Sequence, residues 1–227
     1  MVKKARTPSR RDEALSREQI VDAAIELLDA SGEAGLTLRA LSERLATGPG
    51  AIYGHIADKS DLLTAACDVL VARTLDEPPS DAAPDATLRA LALALFDAID
   101  AHPWIGSALG AAPGKLPMVR ILDRIGQQVR ALGVPEAAQW RATSALLSYI
   151  AGVGGQNAAQ GQFARENGLD RSDFLDSIAA TWAMLDPADY PFAHAIAAQM
   201  REHDDREDFL AGIDLLLAGL AATRRQR

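Results

Sequence analysis

One cysteine, Cys67, stands among 227 residues. A single thiol excludes an internal disulfide framework and suits a reducing compartment. Its simplest reading is a small buried apolar residue. Aromatic residues make up only 5% of the chain, and β-branched residues are sparse beside Ala and Leu, so propensity favours helices over sheet. No run approaches the roughly 18 apolar residues that span a bilayer. The opening stretch, MVKKARTPSRRDEA, is polar and basic with no apolar segment behind it, unlike a secretory signal. An all-α cytoplasmic protein with no membrane partner is expected, long enough for one large domain or for a small and a larger one.

Enzyme signatures are missing as well. The four histidines, His55, His102, His194 and His203, have no zinc-protease spacing, and one cysteine cannot complete a zinc site. GAAPGKL, 110–116, is one residue short of a phosphate loop and has no Ser or Thr after Lys115. GVGGQ, 152–156, falls inside a helical pattern and follows no strand, and no Gly-x-Ser-x-Gly elbow occurs. The pair Asp204-Asp205 reads as solvated loop. Neither catalysis nor a metal or other cofactor is expected.

The net charge of −8 argues superficially against a polyanionic partner. Residues 1–59, however, hold nine basic and nine acidic side chains, and the whole deficit lies in 60–227. Lys3, Lys4, Arg6, Arg10 and Arg11 form a basic arm with no acidic residue among the first eleven positions. Phosphate contact, if any, belongs to this N-terminal quarter.

Apolar residues Ile20, Ala23, Ala24, Leu27 and Leu28 recur at helical spacing behind Ser16, a candidate N-cap, with Gly32 or Gly35 as the stop. A short second helix should follow the cap Thr37, with Leu38, Leu41 and Leu45 inward. The next stretch, ATGPGAIYGHIADK at 46–59, predicts a turn at Ala46-Thr47-Gly48 and a short helix opened by Pro49, whose missing N–H costs nothing in a first turn. Asp58 is the candidate cap of a longer helix carrying Leu62, Leu63, Ala66, Val69 and Leu70. A Pro- and Asp-rich loop is expected over 76–86. Beyond it, periodicity predicts helices through Leu88–Ile99, after Trp104, over 117–132, 135–163 and 171–185, and from about Arg206, with Pro187 and Pro191 punctuating the gap before the last.

Two short helices joined by a tight turn behind a third make a helix-turn-helix, whose second helix lies in the major groove of DNA. Gly50 and Ala51 leave room for close backbone approach, while Tyr53, His55 and Lys59 supply groups that hold phosphates. The order IVDAAIELLDASGEAGLTLRALSERLATGPGAIYGHIADKSDLL, 20–63, resembles the DNA-binding domain of the tetracycline-repressor (TetR) family through Ile20, Ala23, Ala24, Gly35, Thr37, Tyr53, His55, Lys59 and Leu62. It departs from that pattern at Ala46 and Thr47, where Gly-Val is usual, at Gly48, which replaces a Ser-type cap, and at Ile56, which replaces Phe.

The resemblance implies a basic arm over 1–15, a helix-turn-helix domain over 16–60 and an effector-binding and dimerisation domain over 61–227. It implies a one-component transcription regulator, a repressor, that binds a palindromic double-stranded DNA operator as a homodimer and is released by a small-molecule effector of unknown identity. The alternative is a helical small-molecule-binding protein or enzyme that does not act on DNA. DNA contact is expected from Thr37, Arg39, Gly48, Pro49, Gly50, Ala51, Tyr53, Gly54, His55 and Lys59, with the basic arm entering an adjacent minor groove. Since Pro49, Gly50, Ala51 and Gly54 carry no side-chain donors, bidentate base readout is poor, and thymine methyls, Arg39 or Thr37, and DNA shape should carry specificity.

For the effector, the expected lining is Trp104, Met118, Leu122, Ile125, Trp140, Ser144, Tyr149, Gln156 and Trp182. The tail DFLAGIDLLLAGL, 208–220, resembles the final dimerisation helix of the tetracycline-repressor branch, and small residues from Ala151 to Ala159 would let a partner helix come close. In that branch a drug–magnesium chelate needs a His that corresponds to Ala108 here, so tetracycline is not the expected effector.

Overall fold

The computed structural model describes residues 15–76, 82–111 and 113–224, and its regular elements are all helices. The chain divides between Ala66 and Cys67 into two compact units. The basic arm lies outside the described residues.

In the first unit, α1 (Arg17–Gly35) starts at a full capping box: the Ser16 hydroxyl accepts from the Gln19 amide and the Gln19 side chain accepts from the Ser16 amide. Its buried stripe is Ile20, Val21, Ala23, Ala24, Ile25 and Leu28. Helical geometry breaks at Gly32, whose φ of 61° is open to glycine. Thr37 caps α2 (Leu38–Arg44) by accepting from the Ala40 amide, and only Leu41 of its three expected inward leucines is fully buried. Next come α3 (Pro49–Tyr53) and α4 (Lys59–Leu75), the latter capped by Asp58 and continuing through the boundary between the units.

The second unit is built on α5 (Pro84–Ala101), α7 (Leu116–Ala131) and the 31-residue α8 (Glu136–Glu166), which pack against one another. The short α6 (Trp104–Ala111) sits against α5 and α8. Ile121, Ile125 and Val129, one turn apart on α7, are almost wholly buried. Gly154 permits the close passage of α5, because a β-carbon there would meet Ile99 Cδ1 at 3.1 Å. α11 (Asp205–Arg224) closes onto α5 and α8 through a ring stack: Phe209 lies 4.5 Å from Phe96 and 5.5 Å from Tyr149, centroid to centroid.

Between α8 and α11 the chain makes a satellite layer of α9 (Arg171–Ala183), α10 (Pro191–Ile196) and a 3-10 helix (Ala197–Glu202) around Ala164, Phe174 and Leu175. Two expectations are corrected. The loop over 76–86 is shorter, since Pro84 opens α5 in the first-turn position. The Pro-punctuated gap after α9 is itself helical, because Pro191 likewise starts a helix. Asp204 lies exposed outside the helices, as expected, whereas Asp205 is the first residue of α11. Asp204 Oδ1 accepts from the amides of Arg206 and Glu207, and Asp205 is held by Arg171 and by His203.

Candidate nucleic-acid interface

The turn between α2 and α3 is a helix-terminating motif with both of its reverse hydrogen bonds. Thr47 N–H donates to the Ser42 carbonyl at 3.0 Å, and Ala46 N–H to the Glu43 carbonyl at 3.3 Å. That motif puts Ala46 in the left-handed region, φ 49°, where glycine is favoured. Gly48 then caps α3 with no side-chain bond, and Pro49 begins it.

Five residues make α3, and they divide sharply. Ile52 is 0% exposed and anchors the helix from beneath, together with Ile56 just after it. Gly48, Pro49, Gly50, Ala51, Tyr53, Gly54 and His55 are all exposed, and a β-carbon at Gly50 would meet nothing within 4 Å. The backbone of α3 is therefore presented outward with almost no side chain in front of it.

Around it, Thr37, Tyr53 and Lys59 line one open groove of about 320 Å³, walled by Leu36, Leu38, Leu41, Ile56 and Leu62. The Lys59 ammonium donates to the Glu33 carbonyl near the end of α1. Arg39 projects from α2 with its side chain 89% exposed, paired to Glu43 at 2.9 Å. Arg44 reaches back to Glu26 on α1, tying α2 down.

Sequence reasoning missed two residues here. Arg17, the first residue of α1, donates to the His55 carbonyl at 2.7 Å and forks onto Asp61 of α4. Asp61 in turn accepts from the Ala57 amide at 3.1 Å. No periodicity could have signalled a pairing across 44 positions.

The nine expected effector residues differ widely in burial. Trp104 and Ile125 are buried, and Met118, Leu122, Ser144 and Trp182 are half-buried. Tyr149 belongs to the seam with α11, its hydroxyl donating to the Phe209 carbonyl at 3.1 Å. Trp140, nine residues earlier on the same helix and hence about half a turn out of phase, is 67% exposed. Gln156 is exposed too. Ala108 is buried on α6 and offers no ligand atom. No group of three or more His, Cys, Asp or Glu side chains among the described residues could hold a metal ion, and no described helix is long and apolar enough to cross a membrane.

A three-helix unit that exposes a glycine-flanked third helix, followed by a larger helical unit, defines a helix-turn-helix regulatory protein. Residues 20–66 match the model for bacterial regulatory proteins of the tetR family, and residues 79–224 match the tetracyclin repressor-like C-terminal domain. The chain belongs to the TetR family. Its fold is that of SCO7222, a TetR transcriptional regulator from Streptomyces coelicolor, at 51% identity, 92% coverage of this chain, 99% of that chain and a TM-score of 0.82. The HTH-type transcriptional repressor DrrR1 of Streptomyces coeruleorubidus is 25% identical over 229 residues, 98% of this chain and 83% of its own length. BioQ of Mycobacterium smegmatis is 26% identical, with a TM-score of 0.67 and coverage of 92% and 99%. A structure of BioQ with its natural double-stranded DNA operator matches at 25% identity, with a TM-score of 0.63 and coverage of 92% and 99%.

Proposed function

We propose that the protein is a one-component repressor that binds a palindromic operator as a homodimer, places α3 of each copy in the major groove, and lets go when a small molecule binds the larger unit. One observation carries the reading: α3 buries Ile52 and presents Gly48, Pro49, Gly50, Ala51 and Gly54 bare at the surface. Nothing in monomer packing calls for that arrangement, whereas a duplex floor does. Thr37, Tyr53, His55 and Lys59 hold the backbone phosphates at the edges, Arg39 exchanges Glu43 for DNA, and the arm of Lys3, Lys4, Arg6, Arg10 and Arg11 reaches a minor groove. BioQ, a relative over nearly the whole chain, has been solved with its operator.

Dimerisation is supported by an exposed stripe of mostly small and apolar residues on two helices. On α8 it comprises Gly152, Gln156, Ala159 and the 54% exposed Phe163; on α11 it comprises the 76% exposed Leu215 with Ala218, Gly219 and Ala222. Pairing two such stripes makes a four-helix bundle with two-fold symmetry and presents two half-site readers about 34–36 Å apart. The effector site draws on Trp104, Met118, Leu122, Ile125, Ser144 and Trp182, with Tyr149 at the seam to α11; Trp140 serves it only from the surface, and Gln156 only from the dimer stripe. Tetracycline is not its expected occupant, since Ala108 supplies no donor. Effector binding shifts an equilibrium between operator-competent and released arrangements.

The test is selection of bound sequences from random duplexes by the full chain, followed by titration against salt. The expected result is an inverted repeat bound with a linear fall of log affinity against log salt. Failure to enrich any duplex, or enrichment of a single unrepeated half-site, refutes the proposal.

A further inference from the structure

Within the first unit, we infer that Arg17 and Asp61 are positioning residues that clamp the exit of α3 and so set operator affinity without touching DNA. The inference rests on the reading of α3 as the groove helix. A five-residue helix has little stability of its own, because nucleation consumes most of what its few hydrogen bonds return. Apart from Ile52 and Ile56 beneath it, its aim must come from bonds at its ends.

The segment that leaves α3 is caught twice. The Arg17 guanidinium donates to the His55 carbonyl at 2.7 Å and, through its fork, to Asp61 Oδ1 at 3.1 Å and Oδ2 at 3.4 Å. Asp61 Oδ2 accepts from the Ala57 amide at 3.1 Å, and the Asp61 amide itself donates to Asp58 Oδ1 at 2.8 Å. One carbonyl and one amide of the exit are thereby tied to the first turns of α1 and α4 together. A planar fork holds the carbonyl and both carboxylate oxygens from fixed directions, which the single tetrahedral centre of an ammonium does less well. The side chains remain 47% and 37% exposed, so the pair adds little to global stability. Its consequence is orientation.

A difference in sign separates this reading from a simple charge effect. Asp61 adds a negative charge on the unit that meets a polyanion. Electrostatics alone makes Asp61→Asn bind DNA more tightly. The clamp requires the opposite.

The experiment uses the full chain and the duplex that the wild type selects from random sequences. Affinity is measured against salt for wild type, Arg17→Met, Arg17→Lys, Asp61→Asn and the double variant Arg17→Met/Asp61→Asn, with thermal melting of each. Arg17→Met and Asp61→Asn should each weaken binding roughly tenfold, as for loss of a charge-assisted hydrogen bond, with the salt slope unchanged. The double variant should be no worse than about either single one, and Arg17→Lys should fall between. Melting should stay near that of the wild type; should Arg17→Met unfold, the sign at Asp61→Asn decides. Equal or tighter binding by Asp61→Asn overturns the clamp, and so does a salt slope reduced by about one in Arg17→Met, the mark of a direct phosphate contact. A wild type that selects no duplex overturns the proposed function along with the clamp, whereas a wild type that binds while its variants bind equally well overturns the clamp alone.

Discussion

Gly212 on α11 sets a test in which packing and helix propensity demand opposite signs. A β-carbon placed there would lie 1.9 Å from the Tyr149 hydroxyl oxygen and 2.4 Å from its Cζ. The tyrosine is not free to swing aside at no cost. Its ring stacks on Phe209 at 5.5 Å, and its hydroxyl donates to the Phe209 carbonyl at 3.1 Å. Displacing it forfeits about 1 kcal/mol of hydrogen bond and ~0.5–1.5 kcal/mol of ring contact, and forcing it to stay costs about 1–3 kcal/mol of overpacking. Against this, Gly to Ala in a helix interior gains about 1 kcal/mol. Gly212→Ala should therefore destabilise the second unit by about 0.5–1.5 kcal/mol. Gly219→Ala, seven residues on in the same helix and with nothing within 4 Å of its β-carbon, should raise protomer stability by up to about 1 kcal/mol. Urea unfolding followed by far-UV circular dichroism, at one fixed protein concentration because association shifts the midpoint, reads both. In a Tyr149→Ala background the sign at Gly212 should reverse, since the obstacle is gone and only propensity is left. A Gly212→Ala variant as stable as wild type, or no reversal in the double variant, would refute the reasoning.

Other perturbations follow from the same packing. Ala46→Gly should stabilise the first unit by roughly 0.5–1 kcal/mol, because φ 49° strains a β-carbon; a lower melting temperature would contradict it. Ser16→Ala removes half of a capping box and should cost about 1 kcal/mol, measurable as earlier exchange of the first amides of α1. Burial, with Asp68 beside it, pushes the Cys67 thiol up to about 12 from 9.0. A folded-state value above the unfolded one means that the stabilisation is complete below pH 9 and is lost as pH rises from 9 towards 12. Alkaline unfolding should accordingly begin in that window, and Cys67→Ala should flatten the slope there. At pH 8 the native thiol should resist alkylation until denaturant is added.

Much of the first unit is legible in the sequence because its determinants are local. Ser16, Thr37 and Asp58 cap the helices that immediately follow them, the spacing of Ile20, Ala24 and Leu28 prescribes a buried stripe, and Pro49 can open a helix but not continue one. In the second unit the helices are also mostly readable, but which of their faces meet is not. Trp140 and Tyr149 are equally aromatic and equally helical in pattern, yet one is 67% exposed and the other hydrogen-bonds across to α11. A single-residue periodicity cannot distinguish those fates when a 31-residue helix touches different neighbours along its length.

The sequence by itself determined an all-helical chain, its capped starts, and a bare glycine-rich helix poised behind a tight turn. These follow from torsional preference and from hydrogen bonds spanning at most a few positions. Only the tertiary structure decided that Arg17 reaches His55 and Asp61, that Gly212 yields its space to Tyr149, and that Asp205 pairs with Arg171. Such contacts join residues far apart in the chain, and their geometry exists only once separate helices have packed.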